Sequence, residues 1–195
     1  NSGVYVIYDE LEGKEAVTWS YLLHTVELPM EMKELPNEVQ VTGKNKAGGV
    51  SVAHLFSSAK TEQAIADTFF CAPTNWKNVT NAQGKALKYP NHWHFSSTTV
   101  PCKVARFLTV MDTHGNNRPD MKVVRNGNTV QVGDWVINCN LAEKGKAAIT
   151  VTNKSEKVSL NYDAGKKEGA TIVTDQIKGK QISKVLTDYL PDFEI

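Results

Sequence analysis

The sequence predicts an all-β protein: an antiparallel β-sandwich over residues 1–114, followed by a smaller β domain over 115–195. Three observations carry this expectation. Apolar residues come in short runs rich in Val, Ile, Thr and aromatics, punctuated by Gly, Asn, Asp and Pro. Helical periodicity is confined to one segment, 177–190. In the second half the runs recur at roughly the 8–12 residue spacing of a sandwich.

Taken in order, strands are expected near Val4–Leu11, Ala16–His24, Val39–Thr42, Val50–Phe56, His92–Thr99 and Val104–Met111. Gly13 and Lys14 are read as the turn of a first hairpin. The stretch from Ser57 to Pro90 holds Pro73, Trp76, Gly84 and a Tyr89-Pro90 step, and reads as an extended loop with one short strand inside it. Asp112-Thr-His-Gly-Asn-Asn-Arg-Pro-Asp120 is the densest cluster of turn formers, which places the domain boundary there. Beyond it come Met121–Arg125, the hairpin signal Asn126-Gly127-Asn128, then Thr129–Val132, Asp134–Asn140, Ala147–Thr152, Val158–Tyr162 and Ala170–Thr174. Only Ile177–Leu190 is a helix candidate. Ile182, Val185, Leu186 and Tyr189 fit one helical face, while Gly179 and the β-branched residues also permit a strand.

Composition excludes several classes. A hydrophobic content of 41% and a charged content of 22% are ordinary for a folded domain. No stretch reaches the about 18 apolar residues of a membrane helix, so no membrane partner is expected. With 22 basic and 21 acidic residues the formal charge is +1, and the only arginines are Arg106, Arg118 and Arg125. A nucleic-acid binder normally carries a large basic excess, so none is expected. Charge is unevenly spread, however: residues 1–40 carry a balance of −6 and residues 144–184 one of +5. Such asymmetry marks either two solvated faces or a surface for an anionic partner. Cys71, Cys102 and Cys139 are odd in number and widely spaced, which rules out a full disulfide framework and a zinc-type CxxC pair. The chain opens Asn-Ser-Gly with no initiator Met, which reads as a fragment whose targeting segment lay upstream or was removed.

Chemistry concentrates in Asn91-His-Trp-His-Phe95. In a strand His92 and His94 share one face, with Trp93 and Phe95 on the other. Two imidazoles on one face are a polar surface, a pair of metal ligands awaiting His54 or His114, or sugar contacts beside Trp76 or Trp93, whose rings can stack on a pyranose. The motif contains no acidic residue, and further ligands would have to come from distant strands. Hence no metal and no cofactor are expected, and Trp76, His92, Trp93 and His94 are the candidate substrate contacts. His24 is expected to meet Asp9 across the first hairpin, as an ion pair or an oriented imidazole. Nucleophile-elbow, P-loop, dinucleotide and His-Glu-x-x-His patterns are absent from the sequence.

Tyr5-Val-Ile-Tyr-Asp-Glu-Leu-Glu12, Thr18-Trp-Ser-Tyr-Leu-Leu-His24, Val52-Ala-His-Leu-Phe56, Tyr89-Pro-Asn-His-Trp-His94, Ala105-Arg-Phe-Leu-Thr-Val-Met111 and Val132-Gly-Asp-Trp-Val136, in this order, resemble the C-terminal part of bacterial heparinase II/III-like polysaccharide lyases. The resemblance covers most of the chain. It implies an exported bacterial protein, periplasmic or extracellular, whose parent chain cleaves acidic (uronic-acid) polysaccharides by β-elimination. It also implies partners within that parent: an upstream α/α toroid and the first part of the sandwich. The family's catalytic Tyr and His and its zinc ligands belong to those regions. His92-Trp93-His94 is followed by Phe95 and Ser96, so the family's His-x-His-x-Asp phrase has no counterpart here. No catalytic residue is carried over, and this chain alone is expected to be inactive. The alternative is an independent carbohydrate-binding module with a row of exposed aromatics drawn from Trp76, Tyr89, Trp93 and Trp135. A purely structural or interaction domain is the third reading.

Overall fold

The structure is a computed structural model that describes residues 3–26, 28–67, 80–85, 92–156, 158–165, 171–177 and 180–186. Among them there are fifteen strands and no helix, hence none long and apolar enough to cross a membrane. The chain divides into two compact units, Asn1–Asp120 and Met121–Ile195.

The first unit contains β1 (Val4–Val17), β2 (Ser20–Val26), β3 (Glu31–Leu35), β4 (Glu38–Lys44), β5 (Gly49–Ser57), β6 (Thr61–Ala66), β7 (His92–Thr99) and β8 (Cys102–Gly115). They form a five-stranded sheet in the order β1-β8-β5-β4-β3 and a three-stranded sheet in the order β2-β7-β6, all antiparallel. The sheets pack as a sandwich because each strand turns an apolar face inward. Val39, Val41, Ala53, Leu55, Ala105 and Phe107 of the larger sheet meet Phe95 of the smaller, with Tyr21, Leu23, Ile65 and Trp93 packed around them. Every residue of Val52–Phe56 and Ala105–Val110 is buried, so the central strands β5 and β8 are covered on both faces. An unbroken apolar run, rather than an alternating one, is the sequence mark of such a strand.

The expected first hairpin does not form. β1 continues through Gly13 to Val17 and pairs with β8, whereas β2 pairs with β7 in the other sheet. A register shift between Glu12 and Val17 bends the strand at this point. Gly13 sits in tight packing rather than at a turn, since a Cβ would lie 3.0 Å from the Glu15 carbonyl oxygen and 3.3 Å from the Trp19 ring. Trp19 in turn ties the sheets together, its backbone N–H donating to Thr99 Oγ1 (3.0 Å) and its indole N–H to the Cys102 carbonyl (3.2 Å). The β3–β4 hairpin was not expected. Its turn is Pro36-Asn37 with Asn37 at φ +64°, a Pro-then-left-handed pair that suits a type II turn. The one short strand expected between Ser57 and Pro90 corresponds to β6.

The second unit holds β9 (Val123–Asn126), β10 (Thr129–Val132), β11 (Trp135–Cys139), β12 (Ala148–Asn153), β13 (Val158–Asp163), β14 (Thr171–Ile177) and β15 (Lys180–Leu186). Each pairs with the next to make a seven-stranded antiparallel meander. One face is apolar, with Val130, Val132, Ile137, Cys139 and Ile149 buried, and Gln131 and Asn138 on the other face are exposed. Gly127, at φ +58°, turns the expected β9–β10 hairpin. The helix candidate is resolved as strand: β15 lies within 177–190 and pairs with β14 along its length. The turn cluster belongs to the first unit because β8 runs on through Gly115, and Arg118 then folds back to form two hydrogen bonds to the buried Asp112 carboxylate.

Candidate functional site

The histidine-bearing strand β7 is the middle strand of the smaller sheet. Strand alternation sends Trp93, Phe95, Ser97 and Thr99 inward and His92, His94, Ser96 and Thr98 outward. Register then decides the neighbours: His94 stands opposite His24, Ser96 opposite Leu22, and Thr98 opposite Ser20. The His24 and His94 rings are 5.9 Å apart and tilted by 32°. His24 is exposed while His94 is 4% exposed. Farther along this face the Ser20 and Thr98 hydroxyls lie 2.8 Å apart. The outer face therefore offers the His24 and His92 imidazoles and the Ser20 and Thr98 hydroxyls, which donate to and accept from hydroxylated ligands, whereas the ring nitrogens of His94 are shut off from solvent.

His92 and His94 share this face, joined by a third imidazole, His24. The expected His24–Asp9 pair does not form, since His24 stands on the outer face of the smaller sheet and Asp9 on the inner face of the larger one. Neither half of the His24–His94 pairing carries a local signal, because β2 and β7 are about seventy residues apart and only the sheet register joins them. Trp93 packs against the sandwich core. Trp76 and Tyr89 lie outside the described residues. His54 sits on β5 with its Nδ1 3.2 Å from Glu38 Oε1, and His114 Nε2 lies 2.9 Å from Asp120 Oδ1. Both rings are thus engaged elsewhere in the larger sheet. Among the described residues no group of three or more His, Cys, Asp or Glu is gathered so as to hold a metal ion.

Two further polar groups occupy the sandwich. Arg106 is 1% exposed and directs Nε and Nη2 to Glu10 Oε1 at 3.1 and 2.6 Å. On the inner side, Tyr21 lies over Phe107 with ring centroids 5.6 Å apart, and Asp9 is the cross-strand neighbour of Phe107. Burial pushes the Asp9 carboxyl above its ordinary range. The Tyr21 hydroxyl is also raised, by burial first and by the Asp9 charge, with the neighbouring Thr109 hydroxyl opposing. Asp9 and Tyr21 thus share an electrostatic environment inside the fold, a coupling hidden by their spacing in the sequence.

No family model matches the chain, and no curated protein does.

Proposed function

We propose that this chain is the C-terminal β region of an exported, heparinase II/III-like polysaccharide lyase acting on uronic-acid polysaccharides. In this reading it is a scaffold and one wall of the substrate cleft. One observation carries the proposal: the resembling phrases fall in order on the strands that build the fold. Tyr5–Glu12 lies in β1, Val52–Phe56 in β5 and Ala105–Met111 in β8, while Thr18–His24 leads into β2 and His92–His94 opens β7. Val132–Val136 spans the β10–β11 turn of the second β unit. A sandwich followed by a further antiparallel β unit is the order of domains that the resemblance implies.

β-Elimination needs a group to neutralise the uronate carboxylate, a base for the C5 proton and an acid for the leaving oxygen. The reading assigns these to the toroid and the first strands of the parent sandwich, and gives this chain contacts to the polymer only. His92 and His24 supply hydrogen bonding, the buried His94 supports them from below, and the lysine-rich 144–184 stretch supplies positive potential. The carbohydrate-binding-module reading needs a flat row drawn from Trp76, Tyr89, Trp93 and Trp135, and of these Trp93 packs against the core.

Titration with heparin, chondroitin, alginate and a neutral glucan at two salt concentrations tests the proposal. The expected result is weak binding to the acidic polymers that falls as salt rises, since charge attraction is screened over about 10 Å at 0.1 M. An ultraviolet assay for unsaturated uronate should stay flat. Equal, salt-independent binding of the neutral glucan would favour the module, and uronate unsaturation lost on His24→Ala or His92→Ala would place an active site here.

A further inference from the structure

Toward the β4–β5 turn, the inner face of the five-stranded sheet changes character. The large residues around Phe107 give way to a cross-strand row of small ones, Thr113, Ser51 and Gly43. The Ser51 and Thr113 hydroxyls stand 3.3 Å apart. Above this row comes the end of β2, the outermost strand of the smaller sheet. Its Thr25 settles onto Gly43 so closely that a Cβ there would lie 2.5 Å from the Thr25 methyl. β2 thus crosses from Tyr21 over Phe107 to Thr25 over Gly43. The corner of the larger sheet beyond it is left open: Tyr5 is 57% and Ile7 37% exposed on the same inner face. Small floor residues and an uncovered corner produce a cleft of about 460 Å³, with Thr25, Gly43, Ser51 and Thr113 around it and Lys44 and Asn45 among its lining residues.

The geometry points to this cleft as the binding site for one uronate sugar of an acidic glycan; the choice of uronate rests on the function proposed above, whereas the cleft does not. Its volume falls within the roughly 300–1,000 Å³ of small-ligand pockets. Ser51 and Thr113 supply hydroxyls that both donate and accept, which matches a polyol. Asn45 commits its Oδ1 to the Gly49 N–H at 2.8 Å, so the amide NH₂ is the part of the side chain left for a ligand. The Lys44 ammonium is held by Glu31 on the opposite face of the sheet, so the Asn45 amide is the donor that the cleft offers to a ligand carboxylate. Tyr5 stands opposite Met111 and diagonal to Thr113, at the roughly 7–8 Å spacing that aromatic side chains bridge. Its ring can cover the C–H face of a pyranose whose hydroxyls meet the floor.

The test is an amide-resolved NMR titration of the whole chain with an alginate tetramer, and with cellotetraose as the neutral probe. Uronate is expected to shift Gly43, Gly49, Ser51 and Thr113 to saturation. Tyr5→Ala and Ser51→Val should each weaken binding by about tenfold with the melting temperature kept. Shifts confined to His92–Thr98 and indifferent to Tyr5→Ala would overturn the cleft and leave the acidic-glycan proposal standing. Equal shifts with cellotetraose would overturn the uronate assignment. No shift at the cleft at millimolar tetramer would overturn the inference, while the polymer titration above still decides the proposed function.

Discussion

Replacing Glu10 by Ala should cost the first unit about 3 kcal/mol. Arg106 lies 1% exposed on the face of the larger sheet away from the sandwich core, and its Nε and Nη2 both reach one Glu10 oxygen. An arginine cannot discard its proton, so the variant keeps a buried charge that has lost the Glu10 carboxylate from among its partners. Removing one partner of a buried pair costs about 3–5 kcal/mol. The Glu10 side chain retains 31% exposure, so solvent screening puts the loss at the lower end. For a unit of this size about 3 kcal/mol corresponds to a drop in melting temperature of roughly 10 °C. Urea and thermal unfolding followed by circular dichroism and tryptophan fluorescence read it directly. The Glu10→Ala/Arg106→Met double variant should recover much of the loss, with a coupling energy of about 2 kcal/mol. A Glu10→Ala protein within about 0.5 kcal/mol of the parent, or strictly additive single effects, would refute the reasoning.

Gly43→Ala should destabilise by about 1–3 kcal/mol through overpacking against the Thr25 methyl, and Thr25→Ser, which removes that methyl, should restore most of the loss in urea titrations. Burial pushes the Cys139 thiol up to about 11, with Arg125 only partly opposing. Its alkylation in the folded protein, read by mass spectrometry, should therefore be slow at pH 8 and keep rising through pH 10; a plateau below pH 10 would contradict this. Asp9 has a folded-state pKa raised by burial, so the fold holds its proton more tightly than the unfolded chain does, and the ionised form costs stability as pH climbs past the unfolded value. Asp9→Asn should accordingly stabilise at neutral pH, with the gain fading as pH falls through the raised folded-state value and gone by about pH 4. A gain of equal size at pH 3 would show that charge is not its cause.

The outer His92–His94 face and the inward Trp93 and Phe95 were legible because strand alternation is a local rule. The third imidazole was not, because His24 reaches His94 through a sheet register set by the whole sandwich. Likewise Glu38 gave no sign of pairing with His54, nor Glu10 with Arg106, since each pair joins neighbouring strands rather than neighbouring residues. The corner cleft had no sequence signature at all. It arises from where β2 happens to end over Gly43, and a Gly, a Ser and a Thr on three strands look like ordinary strand residues until the sheets are stacked.

By itself the sequence determined an all-β chain, most of the strands, and the turn at Gly127, because short β-branched runs and residues tolerant of positive φ act over a few positions. Tertiary structure decided which strands pair. Gly13 has the composition of a turn and Ile177–Leu190 has apolar spacing that fits a helix, yet β1 runs through the first to reach β8, and β15 forms within the second beside β14. In both cases hydrogen-bonded partners distant or adjacent in the chain outweighed a weak local preference, since satisfying a full row of backbone groups is worth more than the fraction of a kcal/mol that separates local propensities.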